Sequence, residues 1–292
     1  LRGTNALIHG AQLSAGERGS VGASTYLGGR IADGVTARID ASANALRPEI
    51  DNANGQKQFV GASLDVRVGA TKIALDLEAQ RFKQLSVPGA SLLDRDGDGV
   101  GETFPAAQPR RNLNAQPWTQ PFETRSVLAA LKLTHAINQN WTLNAAAQSQ
   151  RVRTDDRIAF PDGCSDAAIY VYPGFCGNGD YDLYDFRSEN ERRALNVLDA
   201  HVRGTFDFVE GKSTFALGAQ RRDFTQRTQP QAYNFAGSGN LFLSNVAVSA
   251  APIATIPGTN LDERATELYV NTHIYFKSGL NAFAGVRSAR VE

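Results

Sequence analysis

The stretch VGASLDVRVGATKIALDLEAQ, residues 60–80, carries the fold in its spacing. Val60, Ala62, Leu64, Val66 and Val68 alternate with Gly61, Ser63, Asp65 and Arg67. After Gly69-Ala70 the alternation resumes: Ile73, Leu75, Leu77 and Ala79 are apolar, while Lys72, Asp76, Glu78 and Gln80 are polar. A period of two puts apolar side chains on one face of a strand and polar ones on the other. Two such runs joined by a glycine-containing pair read as a β-hairpin.

Working outward, the pattern recurs in 35–45, 127–134, 141–151, 198–208, 213–221 and 266–276. Residues 16–31 supply a further strand, 1–15 are ambiguous, and a last run covers about 280–291. That makes about ten strands, each long enough for the roughly 9–11 residues of a tilted membrane-crossing strand. No segment keeps a helical period. Short turns fall at Ala32-Asp33-Gly34, Gly69-Ala70, Asn138-Gln139-Asn140, Glu210-Gly211-Lys212 and Ser278-Gly279. Between them lie long connections at about 47–57, 85–122, 155–190 and 228–262. Alternating short and long connections predict an all-β, antiparallel, up-and-down transmembrane β-barrel, with short periplasmic turns and long extracellular loops. Unstructured loops of this length argue against a compact soluble domain.

Composition fits. Among 292 residues, 30 Lys and Arg balance 30 Asp and Glu, so no basic excess points to nucleic acid. Mean hydropathy is −0.31, because alternating strands average out. The absence of Met and of a charged-then-apolar leader is expected of a piece of a longer chain. Trp141, Phe206, Phe208, Phe215 and Phe276 flank short turns on the apolar face, as an aromatic girdle would. The polar face carries mixed charge, among it Asp65, Asp76, Glu78, Lys132, Asp199 and Arg203, which suits a wet interior.

Cys164 and Cys176, close together in a polar loop, suggest a disulfide and an oxidising compartment; two free thiols are the alternative. Asp94, Asp96 and Asp98 around Gly97 and Gly99 form the first half of an EF-hand-like calcium loop. Pro105 stands where the bidentate Glu belongs, and Glu102 would have to compensate; a plain acidic loop tip is the other reading. Residues 155–190 hold Tyr170, Tyr172, Phe175, Tyr181, Tyr184 and Phe186. These rings either pack the loop around the cysteine pair or stack on a bound chelate, with Arg110, Arg111, Arg192 and Arg193 meeting an anionic one. His9, His135, His201 and His273 adjoin no nucleophile motif, so no enzyme is expected.

Strings at the strand–loop junctions resemble TonB-dependent outer-membrane receptors of the ferric-siderophore uptake type. They are Gln84-Leu85-Ser86-Val87-Pro88-Gly89; Arg110-Arg111-Asn112-Leu113-Asn114 through Gln116-Pro117-Trp118; Arg157-Ile158-Ala159-Phe160-Pro161 with Gly179 through Arg193; and Leu261-Asp262-Glu263-Arg264 with Glu267-Leu268-Tyr269. The resemblance implies a barrel of about 22 strands with a plugged lumen, of which this chain is a part. It also implies a plug domain and C-terminal strands outside the chain, since an open barrel leaves edges a membrane does not tolerate. Its expected partners are a ferric siderophore or related chelate, TonB through an N-terminal region, and outer-membrane lipid. Ligand contacts would come from Arg110, Arg111, Trp118, Tyr170, Tyr172, Tyr181 and Tyr184 in extracellular loops. Without a plug, a passive porin or structural barrel is the alternative, and a soluble all-β binding protein is the third.

Overall fold

In the computed structural model, residues 6–106, 110–165 and 170–292 are described. In chain order the strands are β1 (Ile8–Ala15), β2 (Val21–Ala32), β3 (Val35–Leu46), β4 (Gly55–Val68), β5 (Thr71–Gln84) and the two-residue β6 (Leu93–Asp94). Then come β7 (Gln120–Ala136), β8 (Trp141–Pro161), and the short β9 (Cys164–Ser165), β10 (Tyr170–Val171) and β11 (Phe175–Cys176). The last five are β12 (Asp180–Phe208), β13 (Gly211–Arg227), β14 (Ala232–Asn240), β15 (Asn260–Phe276) and β16 (Asn281–Val291).

Among the described residues, one 12-stranded antiparallel sheet runs β1-β2-β3-β4-β5-β7-β8-β12-β13-β15-β16, with β14 added against β12. Each strand on this path follows its neighbour in sequence, so the topology is up-and-down. β1 and β16 stand at its two ends. The ambiguous 1–15 region thus contributes a strand, Ile8–Ala15, paired from Ile8↔Gly28 to Ala15↔Val21. It reaches β2 through a brief connection around Glu17–Gly19, so one connection on the long-loop side is short.

Register fixes the faces. Val60 pairs with Ala79, Ala79 with Val127, and Leu131 with Ala147, which pairs with Leu198. Leu217 pairs with Val202 and Val270. All of these lie on the apolar face, where Val60, Leu77, Val127, Leu198 and Leu217 are exposed. Trp141, Phe206, Phe208, Phe215 and Phe276 share that face near the short turns, as the sequence predicts. Phe208 meets Phe276 edge-on with ring centroids 6.1 Å apart. The Trp141 ring lies over Gly204, where a Cβ would stand only 2.7 Å from it. Turn residues Gly34 (φ 70°) and Gly69 (φ 56°) adopt the left-handed conformation that glycine takes without a steric cost.

The opposite face is polar and internally paired. Lys72 reaches Asp65 at 3.8 Å, and Arg38 Nε donates to Asp40 at 2.7 Å while its guanidinium lies 4.7 Å from the Tyr26 ring centre. Tyr269 donates to Asp199 at 3.1 Å, and Asp199 also meets His201 at 2.9 Å.

The region 155–190 is not one long loop. β8 continues to Pro161 and β12 starts at Asp180, with ladder pairs from Leu183↔Pro161 to Ser188↔Asp156. A bulge between Ser188 and Glu191 bends β12, with Asn190 at φ 57°. Above the bulge, β14 replaces β13 as the second neighbour of β12. Part of 228–262 is therefore strand as well.

Candidate functional site

Where β8, β12 and β14 rise beyond the rest of the sheet, their two faces meet different surroundings. One face carries Ala159, Tyr181 and Leu183, and the chain folds back over it. These residues cluster with Leu93, Leu113, Phe175 and Leu241, with Trp118 and Val248 packed alongside. Burial of this kind is what ordinary water-facing strands need.

The cover is stitched by side chains reading backbone. Arg111 Nη1 donates to Leu241 O at 2.8 Å, and Gln116 Nε2 to Val246 O at 2.9 Å. Trp118 Nε1 donates to Val248 O at 3.1 Å, and Asn245 Nδ2 to Asn112 O at 3.1 Å. Asn114 Oδ1 accepts from Ala159 N at 2.7 Å, above the point where β7 starts to pair with β8. Arg111 and Trp118 therefore hold loop to loop, and Tyr181, 1% exposed, lies inside the core with its ring centroid 5.0 Å from that of Phe175. Arg110 is exposed beside Asp51 and the Glu49 carbonyl.

The other face holds an open aromatic cluster. Tyr184 pairs with Phe160 across β8 and with Phe235 across β14. Tyr184 and Tyr233 stack at 4.8 Å with their planes 9° apart, and Phe235 stands edge-on to Tyr184 at 6.1 Å. Phe160 and Phe186 flank Tyr233, each at 6.3 Å. Tyr170 and Tyr172 stack on each other at 6.2 Å, and both are exposed. β8 alternates without a break from Trp141 to Pro161, so Phe160 shares the polar face with Gln148 and Gln150 below it. In barrels of this kind the polar face lines the interior.

Carboxylates sit under the rings. Tyr233 donates its phenol proton to Asp162 at 2.6 Å, and Ser165 donates to Asp182 at 2.5 Å. Burial and the Asp162 carboxylate hold the Tyr233 phenol well above its ordinary range. Burial, then the charges of Asp162 and Asp182, raise Tyr170 in the same direction. These phenols stay protonated at neutral pH and offer ring faces plus hydroxyl groups. The arginines do not join them: Arg193 bonds Glu191 and Gln226, and Arg192 bonds Asn190.

Of the rings expected from the sequence, Tyr170, Tyr172 and Tyr184 come together, while Tyr181 falls on the opposite face. Sequence reasoning missed Phe160 as a site ring, and also Tyr233 and Phe235. The last two stand two apart around Asn234, a short alternation inside a segment read as loop.

Beside the cluster, Cys164 and Cys176 form the disulfide expected of them, with Cα atoms 5.6 Å apart. β11 pairs in parallel with β6, which sets Cys176 opposite Asp94. Tyr172 N donates to Gly99 O at 2.9 Å, and Gly101 N to Pro173 O at 2.8 Å. The acidic loop is thereby clipped to the segment that carries Tyr172. Within it, Asp94, Asp96, Asp98 and Glu102 bring carboxylate oxygens within 4.8 Å of one another. Backbone N–H groups offset that repulsion: Gly97 and Gly99 donate to Asp94 at 2.7 and 2.9 Å, and Val100 to Asp98 at 2.8 Å.

A hairpin-connected sheet with an apolar outer face, an aromatic girdle and tall strands on one side defines a section of a large outer-membrane-type β-barrel. No family model matches the chain, and neither does any curated protein. Solved structures do match. The chain is similar to the ferric-catecholate import receptor Fiu from E. coli K12, with a TM-score of 0.81 and 12% identity over 98% of this chain and 44% of that one. It is similar to BauA, the ferric preacinetobactin receptor from Acinetobacter baumannii (TM-score 0.74, 13% identity, 97% of this chain and 41% of that one). It is also similar to the ferripyoverdine receptor of the outer membrane of Pseudomonas aeruginosa (0.75, 16%, 97% and 37%). The chain spans less than half the length of each. Its fold is that of the siderophore-receptor barrel wall, the type that the sequence strings resemble.

Proposed function

We propose that this chain is part of the barrel of an outer-membrane receptor that imports a ferric siderophore or similar chelate in a TonB-dependent way. The observation that carries the reading is the half-buried stack of Tyr184 on Tyr233, with the exposed rings of Phe160, Phe235, Tyr170 and Tyr172 around it, on the interior face above the membrane. Flat ring faces in that position suit the planar, aromatic or delocalised arms of an iron chelate. The cover of loops on the opposite face supports the reading, because it holds β8 and β12 upright beneath the cluster. Binding and transport by the barrel wall involve no bond-making step, and the chain acts as a receptor rather than an enzyme.

The test uses the full-length protein in iron-limited cells, with uptake of an iron-55 catecholate chelate as readout. Uptake that needs the inner-membrane proton gradient, with Tyr184→Ala and Tyr233→Ala each raising the half-saturating concentration several-fold, supports the proposal. An open, voltage-stable pore that passes small solutes without retaining the chelate would overturn it in favour of a passive porin.

In the same reading the Asp94–Glu102 loop is a calcium site that stiffens the Tyr172 segment; its support is the convergence of four carboxylates. Terbium luminescence of the full-length protein, lost in Asp96→Asn/Asp98→Asn, is the expected result. No luminescence in the unmodified protein would contradict it.

A further inference from the structure

The ring cluster stands beside two carboxylates. Asp162 lies two residues beyond Phe160 where β8 ends, and Asp182 lies two residues before Tyr184 on β12. The period of two therefore turns both carboxylates to the side of the rings. Their backbones meet there: Asp162 N donates to Asp182 O, and Asp182 N to Gly163 O, each at 3.0 Å. Asp162 accepts the hydrogen bond of the Tyr233 phenol at 2.6 Å, and Asp182, 1% exposed, accepts from Ser165. Burial, the neighbouring Tyr170 and then the charges of Asp182 and Asp162 raise the Tyr184 phenol. Both carboxylates thus act on the stacked rings.

No positive charge of the chain answers them. Four other carboxylates on the same two strands have an arginine each: Asp185 has Arg187 at 2.8 Å, Glu191 has Arg193 at 2.8 Å, Glu189 has Arg157 at 2.7 Å and Asp155 has Arg153 at 3.2 Å. Among the described residues no lysine or arginine pairs with Asp162 or Asp182. Two neighbouring carboxylates, one of them buried, are costly to hold until a cation completes them. The arginines that the sequence offers for an anionic ligand are engaged elsewhere, Arg111 on Leu241 O and Arg193 on Glu191.

The rings supply the second half of a cation site. A guanidinium or ammonium group is attracted to an aromatic face within roughly 6 Å of its centre. A phenol that donates to a carboxylate has a more electron-rich ring, and Tyr233 is such a phenol. A planar guanidinium can also stack flat on a tyrosine. An anionic arm in the same place would meet the repulsion of Asp162 and Asp182.

We infer that the chelate taken by this site carries a guanidinium or protonated-amine arm, which lies on the tyrosine faces with its charge against Asp162. The inference rests on the receptor reading of the ring cluster and narrows its substrate to chelates with an organic cation.

The test compares two ferric catecholate peptides that differ at one residue, arginine in one and citrulline in the other. The two side chains match in shape and differ in charge. Titrated into the full-length protein in detergent, the arginine peptide should bind about tenfold tighter. Asp162→Asn should abolish that preference by weakening the arginine peptide while leaving the citrulline peptide unchanged. A role of Asp162 in structure alone would weaken both equally, and that result overturns the inference. So does equal binding of the two peptides by the unmodified protein, or an arginine preference that survives Asp162→Asn. If the variant misfolds, the two peptides compared on unmodified protein still decide the matter. Failure of the receptor reading looks different: neither peptide binds, and the inference falls with it.

Discussion

β8 and β12 pass through two environments, and the contrast explains how the molecule is built. In their lower parts, around Ala145 to Ser149 and Asn196 to Val202, the sheet leaves its apolar face bare, with Leu198 57% exposed. In their upper parts, around Ala159 and Tyr181 to Asp185, the corresponding face is closed over by loops, and Ala159 and Asp185 are fully buried. A sheet in water must cover its apolar face, while a sheet in lipid must leave it open. One pair of strands obeys both rules along its length, so the boundary between them marks where the solvent changes.

The largest effect expected from this contrast lies above the boundary. Tyr181→Ala should cost about 3–5 kcal/mol of local stability, as truncation of a buried aromatic does. Hydrogen exchange should speed up in 91–103, 110–119 and 241–248 and stay slow in 127–136 and 198–208. Loss of protection in both regions together would mean that the upper core and the membrane sheet are one unit.

Next comes a matched pair of leucines. Leu217 is 56% exposed on the lower face and Leu243 is 65% exposed above it. By exposure alone the two should tolerate Arg equally. With lipid around Leu217, Leu217→Arg should cost about 2–4 kcal/mol in vesicles, whereas Leu243→Arg should stay within about 0.5 kcal/mol. Equal costs in urea titrations would break the comparison.

The smallest effect is a pH dependence near the bulge. Burial, with the Glu191 charge adding to it, pushes the Asp156 carboxyl up to about 6, against a backbone hydrogen bond from Arg157 that acts the other way. A carboxyl with a raised folded pKa favours the fold while it is neutral. That contribution is complete below the unfolded value near 4 and is lost as pH rises through about 6. Asp156→Asn should therefore stabilise the protein at pH 7.5 by up to about 2 kcal/mol, after allowance for partial exposure. The gain should vanish near pH 4 in thermal unfolding scans.

Legibility in the sequence follows the same boundary. Below it, one face meets lipid and the other a wet interior, so Val60 to Ala79 and Leu198 to Phe208 alternate cleanly and the hairpins can be read directly. Above it, both faces of β12 are covered or clustered, and Tyr181-Asp182-Leu183-Tyr184-Asp185-Phe186 mixes apolar and charged side chains on each. The period of two is lost there, and real strand looks like loop. Asp185 illustrates why: it is a fully buried charge, paired with Arg187 at 2.8 Å and accepting from Ala251 N. Ile8–Ala15 stayed ambiguous because Gly10, Gln12 and Ser14 give weak contrast against Ala11 and Leu13. The tyrosine cluster was half legible. Tyr170, Tyr172 and Tyr184 are near in sequence, but Tyr233 and Phe235 reach them only through the β12–β14 pairing, which no local pattern encodes. The disulfide could be read because only two cysteines exist.

The central claim is that the lower sheet is bounded by lipid on one face and by water on the other. Spin labels placed singly from Leu198 to Arg203 in the full-length protein, reconstituted in vesicles, test it most directly. Collisions with oxygen should peak at 198, 200 and 202, and collisions with a water-soluble nickel chelate at 199, 201 and 203. Equal nickel access at all six positions would contradict the account.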